Sequence, residues 1–481
     1  MKVAIVHPHF RRGGVTRVVE NAVAALAPHA VEIACLSGEP YAGTALPRHT
    51  EVPGLGYINE FSPTAPAALA ADLRAAARTA LGGEPDIWHI HNHSLGKNVH
   101  LPGALRLLAE EGARLLLQLH DFAEDGRPEN YRRLQAAYPE RRTFAHSLYP
   151  ASPAVHYAVL NGRDEAALRT AGVPEGRRHL LPNPVAVPAL TDDAPPPELP
   201  PGTERLILYP TRAIRRKNLG ELLLHAALSP AGTLFATTLR PENPEWRAIH
   251  GRWEALAGEW MLPVAFGLGE TCAFDALMHR ADALITTSVA EGFGLAFLEP
   301  ALFDKPLVGR DLPEITGDFA AWGVRLGALY ERLPVALTAA EEGALREQVA
   351  KGLARLAVAY ARPCAPDALD RAPDAMRDPA GHWDFGRLDE ALQASVIRRA
   401  VAAPEAFPAA RAALEPVPTS AEVAAQRAAV ETHLALPAYG ARLAALYRAL
   451  RAEWPVVPAA HDASALLDTF LAPERLSLLR S

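Results

Sequence analysis

Two glutamates in the second half of the chain could bind a ligand that carries two sets of hydroxyl groups. Glu291 and Glu299 flank a run that contains Gly292-Phe293-Gly294-Leu295, between a predicted strand and a predicted helix. The glycines let the backbone approach a ligand closely. Carboxylates accept hydrogen bonds from hydroxyl groups, so acids at both ends of this loop could hold a sugar and a ribose at once. The spacing therefore predicts a loop that binds a nucleoside and a sugar together.

A basic run lies at the start of the same half of the chain. It reads Arg212-Ala213-Ile214-Arg215-Arg216-Lys217-Asn218 and follows a predicted strand directly. Asn218, with Glu221 three residues later, predicts a helix N-cap and a capping box. Cations at a helix start oppose the helix dipole unless an anion offsets them, so Arg212 and Lys217 predict a diphosphate site. The alternative interpretation is an exposed basic turn.

Two glycines follow the first predicted strand of the chain. Gly13 and Gly14 open a helix, where free N–H groups and a close backbone approach favour a phosphate. The pair does not complete the fingerprint of a dinucleotide site. A tight turn without a ligand is the alternative.

The elements that must position these loops form a regular alternation. Short runs rich in Val, Ile and Leu alternate with helical patterns, which predicts α/β folding with parallel sheets covered on both faces. The predicted strands are 3–6, 31–36, 86–90, 115–119, 157–160, 179–181, 206–209, 234–237, 263–266, 283–286 and 306–308. The predicted organisation is a Rossmann-like domain at 1–187, a proline-rich linker at 188–203, a second Rossmann-like domain at 204–329 and an all-helical extension at 330–481 that packs partly back on the other domains.

In their content and order, over about residues 1–320, these motifs resemble the retaining glycosyltransferases of family 4. The resemblance implies the GT-B fold, in which two doubly wound domains face a cleft. It also implies roles for individual residues. Glu291 would contact the donor sugar, and Glu299 the ribose. Arg212 and Lys217 would hold the diphosphate, with Gly13 and Gly14 covering it.

The resemblance adds two residues that the motifs alone do not identify. His120, at the end of a first-domain strand, matches the active-site histidine of the family, and Phe266 would lie near the nucleobase. Two features depart from the family pattern. Pro300 follows the second glutamate, so the helix there is expected to start late or to bend, and the chain beyond Glu314 is much longer.

The expected function is therefore a hexosyltransferase that moves a sugar from a nucleotide diphosphate sugar to a hydroxyl acceptor. The acceptor could be a small molecule, a glycan or a lipid-linked molecule. The chain contains no Asp-x-Asp motif, and neither a metal nor another cofactor is expected. Two alternatives stay open: a nucleotide-sugar epimerase of the same fold, and a non-catalytic nucleotide-sugar-binding subunit. The extension could also support a homo-oligomer.

Two further groups of side chains have open interpretations. His89, His91 and His93 alternate along one strand, which suits either a metal site or a polar strand end that lines the acceptor site. The segment 125–133 and Arg141-Arg142 follow His120 and could meet an anionic or sugar acceptor. A solvated basic helix is the favoured alternative for these arginines.

Composition excludes several classes of protein. The net charge of −7 argues against a general nucleic-acid binder. The three cysteines are far apart in the sequence, which argues against a disulfide framework. The N-terminus reads as a strand and lacks the apolar run of a signal peptide, which predicts a cytoplasmic protein.

Overall fold

The computed structural model describes residues 1–186 and 197–480, so most of the predicted linker at 188–203 lies outside the described residues. The strands are β1 (Lys2–Val6), β2 (Glu32–Ser37), β3 (Thr50–Glu51), β4 (Ile87–His91), β5 (Leu115–Leu119), β6 (Pro150–Ala151), β7 (Val155–Val159), β8 (Arg178–Leu180), β9 (Arg205–Arg212), β10 (Thr233–Leu239), β11 (Val264–Ala265), β12 (Ala283–Thr286), β13 (Leu307–Arg310), β14 (Leu329–Tyr330), β15 (Pro334–Val335), β16 (Trp383–Asp384) and β17 (Ala459–Ala460).

Helices separate most of these strands. They are α1 (Gly14–Leu26), α2 (Ala65–Leu81), α3 (Leu101–Glu110), α4 (Pro128–Ala137), α5 (Arg141–Leu148), α6 (Gly162–Thr170), α7 (Leu219–Leu228), α8 (Pro244–Glu259), α9 (Phe274–Arg280), α10 (Leu295–Leu302), α11 (Pro313–Ala321), α12 (Ala339–Ala359), α13 (Ala368–Ala375), α14 (Glu390–Ala402), α15 (Pro408–Ala412), α16 (Ser420–His433), α17 (Leu436–Ala452) and α18 (Ala463–Phe470).

The chain divides into two compact units. Unit 1 consists of Met1–Ala186, Leu356–Arg362 and Thr432–Ala472, and unit 2 contains the other described residues. The segments of the predicted extension at 330–481 are divided between the two units. The extension is also not purely helical, since the two-residue strands β15, β16 and β17 lie within it. Strands this short leave no periodic pattern in a sequence.

Unit 1 is built on a parallel sheet with the strand order β3-β2-β1-β4-β5-β7-β8. Alternate residues of β1 face opposite sides. Ala4 and Val6 pack into the core beneath α2, α3 and α18, whereas Val3 and Ile5 pack beneath α1 and α17. Helix α17 lies so close to α1 that a Cβ on Gly440 would be 2.2 Å from the Ala25 carbonyl oxygen. The core of unit 1 therefore includes residues from the end of the chain.

Unit 2 is built on a second parallel sheet, with the order β11-β10-β9-β12-β13-β14. Its central strand β9 carries Leu206 and Leu208, which are fully buried. In both sheets the direction of winding reverses beside the first strand, between β1 and β4 in unit 1 and between β9 and β12 in unit 2. Ligands of doubly wound sheets bind at such switch points, outside the carboxyl ends of the strands.

Among the described residues, no helix is both long enough and apolar enough to cross a membrane.

Candidate active site

Two loops meet at the switch point of unit 2. The cation loop (residues 212–218) leaves the end of β9 and contains a 3₁₀ turn at Arg215–Lys217. The glycine loop (residues 287–294) leaves the end of β12 and leads into α10. Because β9 and β12 are parallel neighbours, both loops emerge at the same edge of the sheet. The topology thus brings together two motifs that are about 75 residues apart in the sequence.

The two loops meet in a partly buried charge cluster around Glu291. Arg216 Nη1 donates to Glu291 Oε2 at 2.7 Å, and Lys217 Nζ donates to Glu291 Oε1. Burial raises the pKa of Glu291, but the charges of Arg216 and Lys217 outweigh it and lower the pKa to about 2. Burial lowers the pKa of Lys217, against the opposing effect of Glu291 and, more weakly, Glu299. Glu291 is therefore ionised at neutral pH and holds both cations.

Hydrogen bonds to backbone carbonyls of the cation loop connect it to the glycine loop. The Thr287 hydroxyl donates to the carbonyls of Lys217 at 2.9 Å and Asn218 at 3.1 Å. The Val289 N–H donates to the Arg216 carbonyl at 3.0 Å. The positions of the two cations therefore depend on the loop that carries Glu291.

The predicted capping box at Asn218 is wrong. Asn218 occupies the N-cap position of α7, but its side chain caps no helical N–H. Its Oδ1 accepts from Gln393 Nε2 at 2.8 Å, while its Nδ2 donates to Glu221 Oε2 at 2.9 Å. Glu221 is fully buried and accepts from Arg310 as well as from the Asn218 side chain. The backbone N–H of Asn218 donates to the Arg215 carbonyl at 3.0 Å and not to Glu221, so neither bond of a capping box forms.

The other residues predicted to bind the sugar donor differ in their exposure and in their partners. Arg212 forms its ion pair with Glu242 at 2.6 Å, and its side chain is 41% exposed. Arg216, which was not predicted as a site residue, pairs with Glu291 together with Lys217, whereas Arg212 does not. Glu299 is half-buried in α10. Phe266 is half-buried and packs edge-to-face on His250, with ring centroids 5.3 Å apart.

The residues of the glycine loop differ in what they can offer a ligand. Gly294 has a φ of 92°, and a Cβ there would lie 2.8 Å from Ile315, so the fold itself requires glycine. Phe293 is buried edge-to-face against Phe319, with centroids 5.7 Å apart. Its ring is thus part of the core, and a ligand would meet its backbone. Gly292 is half-buried, and Leu295 is exposed at the start of α10.

Pro300 does not delay the start of the helix, which was one of the two outcomes expected from the sequence. Helix α10 starts at Leu295, includes Pro300 and ends at Leu302. The missing N–H of Pro300 falls in the second turn of a helix that ends two residues later, so little of the hydrogen-bond ladder is interrupted.

At the switch point of unit 1, three histidines follow adjacent strands. His7 follows β1, His91 ends β4 and His120 follows β5. His91 Nδ1 and His120 Nε2 share a hydrogen bond of 2.8 Å, and their rings stack with centroids 5.1 Å apart. The His7 ring lies 6.5 Å from that of His91. His120 thus lies where a doubly wound sheet binds its ligand.

The loop after β4 fixes the backbone at His120. Asn92, in the left-handed conformation with a φ of 55°, accepts at Oδ1 from the backbone N–H of His120 at 2.7 Å. The same oxygen accepts from the N–H of Asp121 at 3.2 Å. Asn92 was not predicted as a site residue. Only its position after a predicted strand could have identified it.

These imidazoles are neutral at physiological pH. Burial lowers the pKa of His7 to about 4 and of His120 to about 3. Burial and the neighbouring histidines hold the pKa of His91 well below its usual value. The cluster therefore presents uncharged rings that can each donate and accept a hydrogen bond.

Two members of the His89, His91 and His93 series bond to other residues of unit 1. His89 is enclosed between the Tyr447 hydroxyl at 2.7 Å and Gln118 Oε1 at 2.9 Å, and His93 Nε2 donates to the Leu148 carbonyl at 2.7 Å. All three are buried. Across residues 1–186 and 197–480, no group of three or more His, Cys, Asp or Glu side chains is placed to hold a metal ion.

Gly13 is the N-cap of α1 and Gly14 is its first residue, in the connection that follows the carboxyl end of β1. A Cβ on Gly13 would meet only the Arg11 carbonyl at 3.8 Å, and one on Gly14 would meet nothing within 4 Å. The φ of Gly13 is 175°, which any residue adopts. Neither packing nor backbone conformation requires glycine at these two positions.

The predicted basic segment after His120 forms α4 and α5. Arg127 donates to Asp121 at 2.6 Å, so its charge is offset locally. Arg141 and Arg142 are exposed and border a cavity of about 640 Å³ that Tyr131, Tyr360 and other residues of unit 1 also line.

Comparisons with known proteins show what this chain is similar to. Residues 12–187 match the family model described as Glycosyltransferase Family 4. A mannosylglucosyl-3-phosphoglycerate synthase from Petrotoga mobilis is 28% identical over 374 residues, which cover 72% of this chain and 71% of that protein. The chain is a glycosyltransferase whose residues 12–187 are similar to family 4.

Solved structures identify the fold of this glycosyltransferase as GT-B. A sucrose-phosphate synthase from Thermosynechococcus elongatus aligns with a TM-score of 0.52 and 16% identity, covering 94% of this chain and 99% of that one. HepE from Anabaena, solved in complex with UDP-glucose, aligns with a TM-score of 0.52 and 13% identity, covering 93% and 99%. At these identities the likeness concerns the fold alone.

Proposed function

We propose that this glycosyltransferase transfers a hexose from a nucleotide diphosphate sugar to a hydroxyl acceptor, with retention of the anomeric configuration and without a metal ion. The observation that carries the proposal is the partly buried cluster of Glu291, Arg216 and Lys217 at the switch point of unit 2. It contains two cations that suit a diphosphate and a carboxylate that suits sugar hydroxyls. The UDP-glucose bound to the Anabaena protein makes UDP the first nucleotide to test.

The cations would act when the leaving group departs. As the bond between the sugar C1 and the diphosphate oxygen breaks, negative charge builds on that oxygen. Lys217, Arg216 and Arg212 stabilise this charge, as a divalent ion does in other transferases. The acceptor oxygen bonds to C1 on the face that the diphosphate leaves, and the leaving phosphate oxygen takes the acceptor proton. The neutral His120 lies near the reacting sugar and does not repel positive charge that develops there.

The other predicted residues would complete the donor site. Glu299 would bind the ribose, and Phe266 with the edge of β11 would lie beside the base. The backbone of the glycine loop would contact the sugar. Gly13 and Gly14, which the fold does not require, would let a phosphate approach the start of α1.

The acceptor class follows from the curated relative. The name of the Petrotoga enzyme describes a product in which sugars are attached to phosphoglycerate. We propose that the acceptor here is also a small anionic molecule, and that 3-phosphoglycerate and its glucosyl derivative belong in the first panel. Simple glycans and lipid-linked sugars form the rest of that panel.

The experiment has two stages, both carried out in EDTA. Thermal shift with UDP, GDP, ADP and their sugars selects the nucleotide, and the selected donor is then incubated with the acceptor panel. A new glycoside whose anomeric configuration by NMR matches that of the donor is expected. A product of inverted configuration would contradict retention, and activity that EDTA abolishes and magnesium restores would contradict metal independence.

Donor alone provides the control for the second enzymatic interpretation. A glycosyltransferase leaves the donor unepimerised when no acceptor is present, whereas an epimerase converts it. Nucleotide binding without turnover on any acceptor would favour a binding subunit.

A further inference from the structure

The C-terminal helices reach the cation loop through α14. Glu390, the first residue of α14, accepts from Arg215 Nε at 2.6 Å and from Arg215 Nη2 at 2.9 Å. One turn later, Gln393 Nε2 donates to Asn218 Oδ1 at 2.8 Å. Gln393 is almost fully buried. Two side chains of one helix therefore hold both ends of a four-residue segment.

In this segment, the two residues that bond to α14 project to one side, and the two cations that bond to Glu291 project to another. Arg215–Lys217 is a 3₁₀ turn, in which residues three apart project on the same side. Arg215 and Asn218 thus both project toward α14. Arg216 and Lys217, between them, project toward Glu291.

The end of the segment has a backbone conformation that an anchor helps to keep. Asn218 has a φ of 53° and a ψ of 60°, in the left-handed region that residues other than glycine adopt less often. A Cβ on Gly220 would lie 2.2 Å from Gln393 Oε1, so only glycine lets α14 approach this closely. Gln393 also donates to the Phe385 carbonyl at 3.2 Å, which fixes its own position.

A buried ion network ties the same region to the chain just before α14. Arg310 Nη2 donates to Glu221 at 2.7 Å and to Asp384 at 2.8 Å. Glu221 in turn accepts from Asn218. Burial raises the pKa of Glu221, against the charge of Arg310, whereas the same arginine outweighs burial and lowers the pKa of Asp384. Asn218 is therefore held from α14 and from β16 at once.

We propose that Glu390 and Gln393 are positioning residues for the diphosphate site: they hold Arg215 and Asn218 so that Arg216 and Lys217 are presented together to the donor phosphates. The proposal rests on the proposed function of the cation loop. It gives the C-terminal region of unit 2 a part in donor binding, although none of its residues need touch the donor.

The test measures binding of inorganic pyrophosphate by calorimetry, because this probe carries the diphosphate and no base. Glu390→Gln and Gln393→Ala should each weaken binding about three- to tenfold. Lys217→Ala is the reference for direct contact and should weaken it at least tenfold. Arg399→Gln is the matched control, because Arg399 also lies on α14 and pairs with Glu341 at 3.2 Å, away from the loop. It should bind pyrophosphate within twofold of wild type.

A charge exchange separates positioning from general destabilisation. Glu390→Arg should weaken pyrophosphate binding, and adding Arg215→Glu should restore much of it by re-forming the pair in reverse. Glu390 is partly exposed (19% for its side chain), so its variants are expected to fold. Melting temperatures are recorded for every variant.

The outcomes distinguish the two proposals. If Lys217→Ala weakens binding while the α14 variants bind like Arg399→Gln, the positioning inference is overturned and the proposed function stands. If Lys217→Ala leaves pyrophosphate binding unchanged, the diphosphate assignment fails and the inference fails with it.

Discussion

Arg216 donates to the Glu291 carboxylate at 2.7 Å, so this acid pairs with one of the cations to which we assign the donor diphosphate. On that proposal, a nucleotide would compete with Glu291 for Arg216. We expect Glu291→Gln to leave nucleoside diphosphate affinity unchanged or stronger, because that competition is weakened. Turnover at saturating donor should fall at least about tenfold, or about 1.4 kcal/mol in the barrier, because the contact with the sugar is lost.

Calorimetry and steady-state kinetics check this prediction on the same preparations. Glu242→Gln is the matched control, because Glu242 also pairs with an arginine of the cation loop but is 78% exposed. Weaker nucleotide binding with unchanged turnover in Glu291→Gln would contradict the assignment of this acid to the sugar.

The cations of the loop should contribute unequally. Lys217→Ala and Arg216→Ala should each weaken nucleoside diphosphate binding by roughly 1.5–3 kcal/mol, the scale of a charged hydrogen bond. Arg212→Ala should weaken it less, because Arg212 is more exposed and pairs with Glu242. Calorimetry in EDTA measures the series. An Arg212→Ala loss equal to that of Lys217→Ala would mean that Arg212 contacts the phosphates after all.

His120→Ala should reduce turnover at least about tenfold while nucleotide affinity stays close to wild type. The hydrogen bond to Asn92 comes from the backbone N–H of residue 120 and survives the substitution, so the loss reports on the imidazole itself. If His120 only fills the end of the strand, the variant will instead melt earlier with normal turnover per folded molecule.

The histidine cluster should also affect stability in acid. Burial depresses the pKa of His7 and His89 to about 4 in the folded chain, from a usual 6.5. The unfolded chain therefore binds more protons between these values, and the stability that the neutral rings contribute is present above pH 6.5 and is lost as the pH falls toward 4. Melting temperatures of His89→Gln and wild type should converge over this interval. A constant difference would contradict the prediction.

Glu124 should act in the opposite sense. It is fully buried and accepts from the Tyr149 hydroxyl at 2.9 Å, and burial raises its pKa to about 7. Its stabilising contribution is thus present below about pH 4.5 and is lost as the pH rises through 7. Glu124→Gln should stabilise the folded chain at pH 8 by roughly 1–3 kcal/mol and have little effect at pH 4.5. Calorimetric melting at both values checks this, with the exposed Glu129→Gln as control.

Gly14→Ala should distinguish a role of this glycine in donor binding from a role in folding. A Cβ fits at this position without contact, and alanine favours a helix by about 0.5–1 kcal/mol over glycine, so the melting temperature should not fall. If the site binds a phosphate, the KM for donor should rise. An unchanged KM would support the interpretation of a turn without a ligand.

The strands were predictable because strands buried on both faces read as nearly continuous apolar runs. The run 115–119 matches β5 residue for residue for this reason. The choice between Arg212 and Arg216 was not predictable, since it depends on which way a short 3₁₀ turn faces. That orientation is set by Thr287 and Gln393, which are 69 and 175 residues from Asn218. Partners at such separations leave no local pattern in the sequence.

The capping box failed for the same physical reason. Asn218 and Glu221 have suitable types and spacing. The Asn218 side chain, however, accepts from Gln393, and the Glu221 side chain accepts from Arg310, so neither caps the helix. Tertiary contacts hold the loops at a site. Predictions from local sequence patterns, such as a capping box, therefore fail there most often.

Helix α17 also has a consequence for biosynthesis. It covers Val3 and Ile5 of the first strand, yet it is translated only near the end of a chain of 481 residues. Unit 1 therefore cannot complete its core as it leaves the ribosome, and one face of its sheet stays uncovered until most of the chain has been synthesised. Nascent chains with exposed apolar sheet faces aggregate readily. A ribosome that stalls before residue 436 would release a product prone to aggregation.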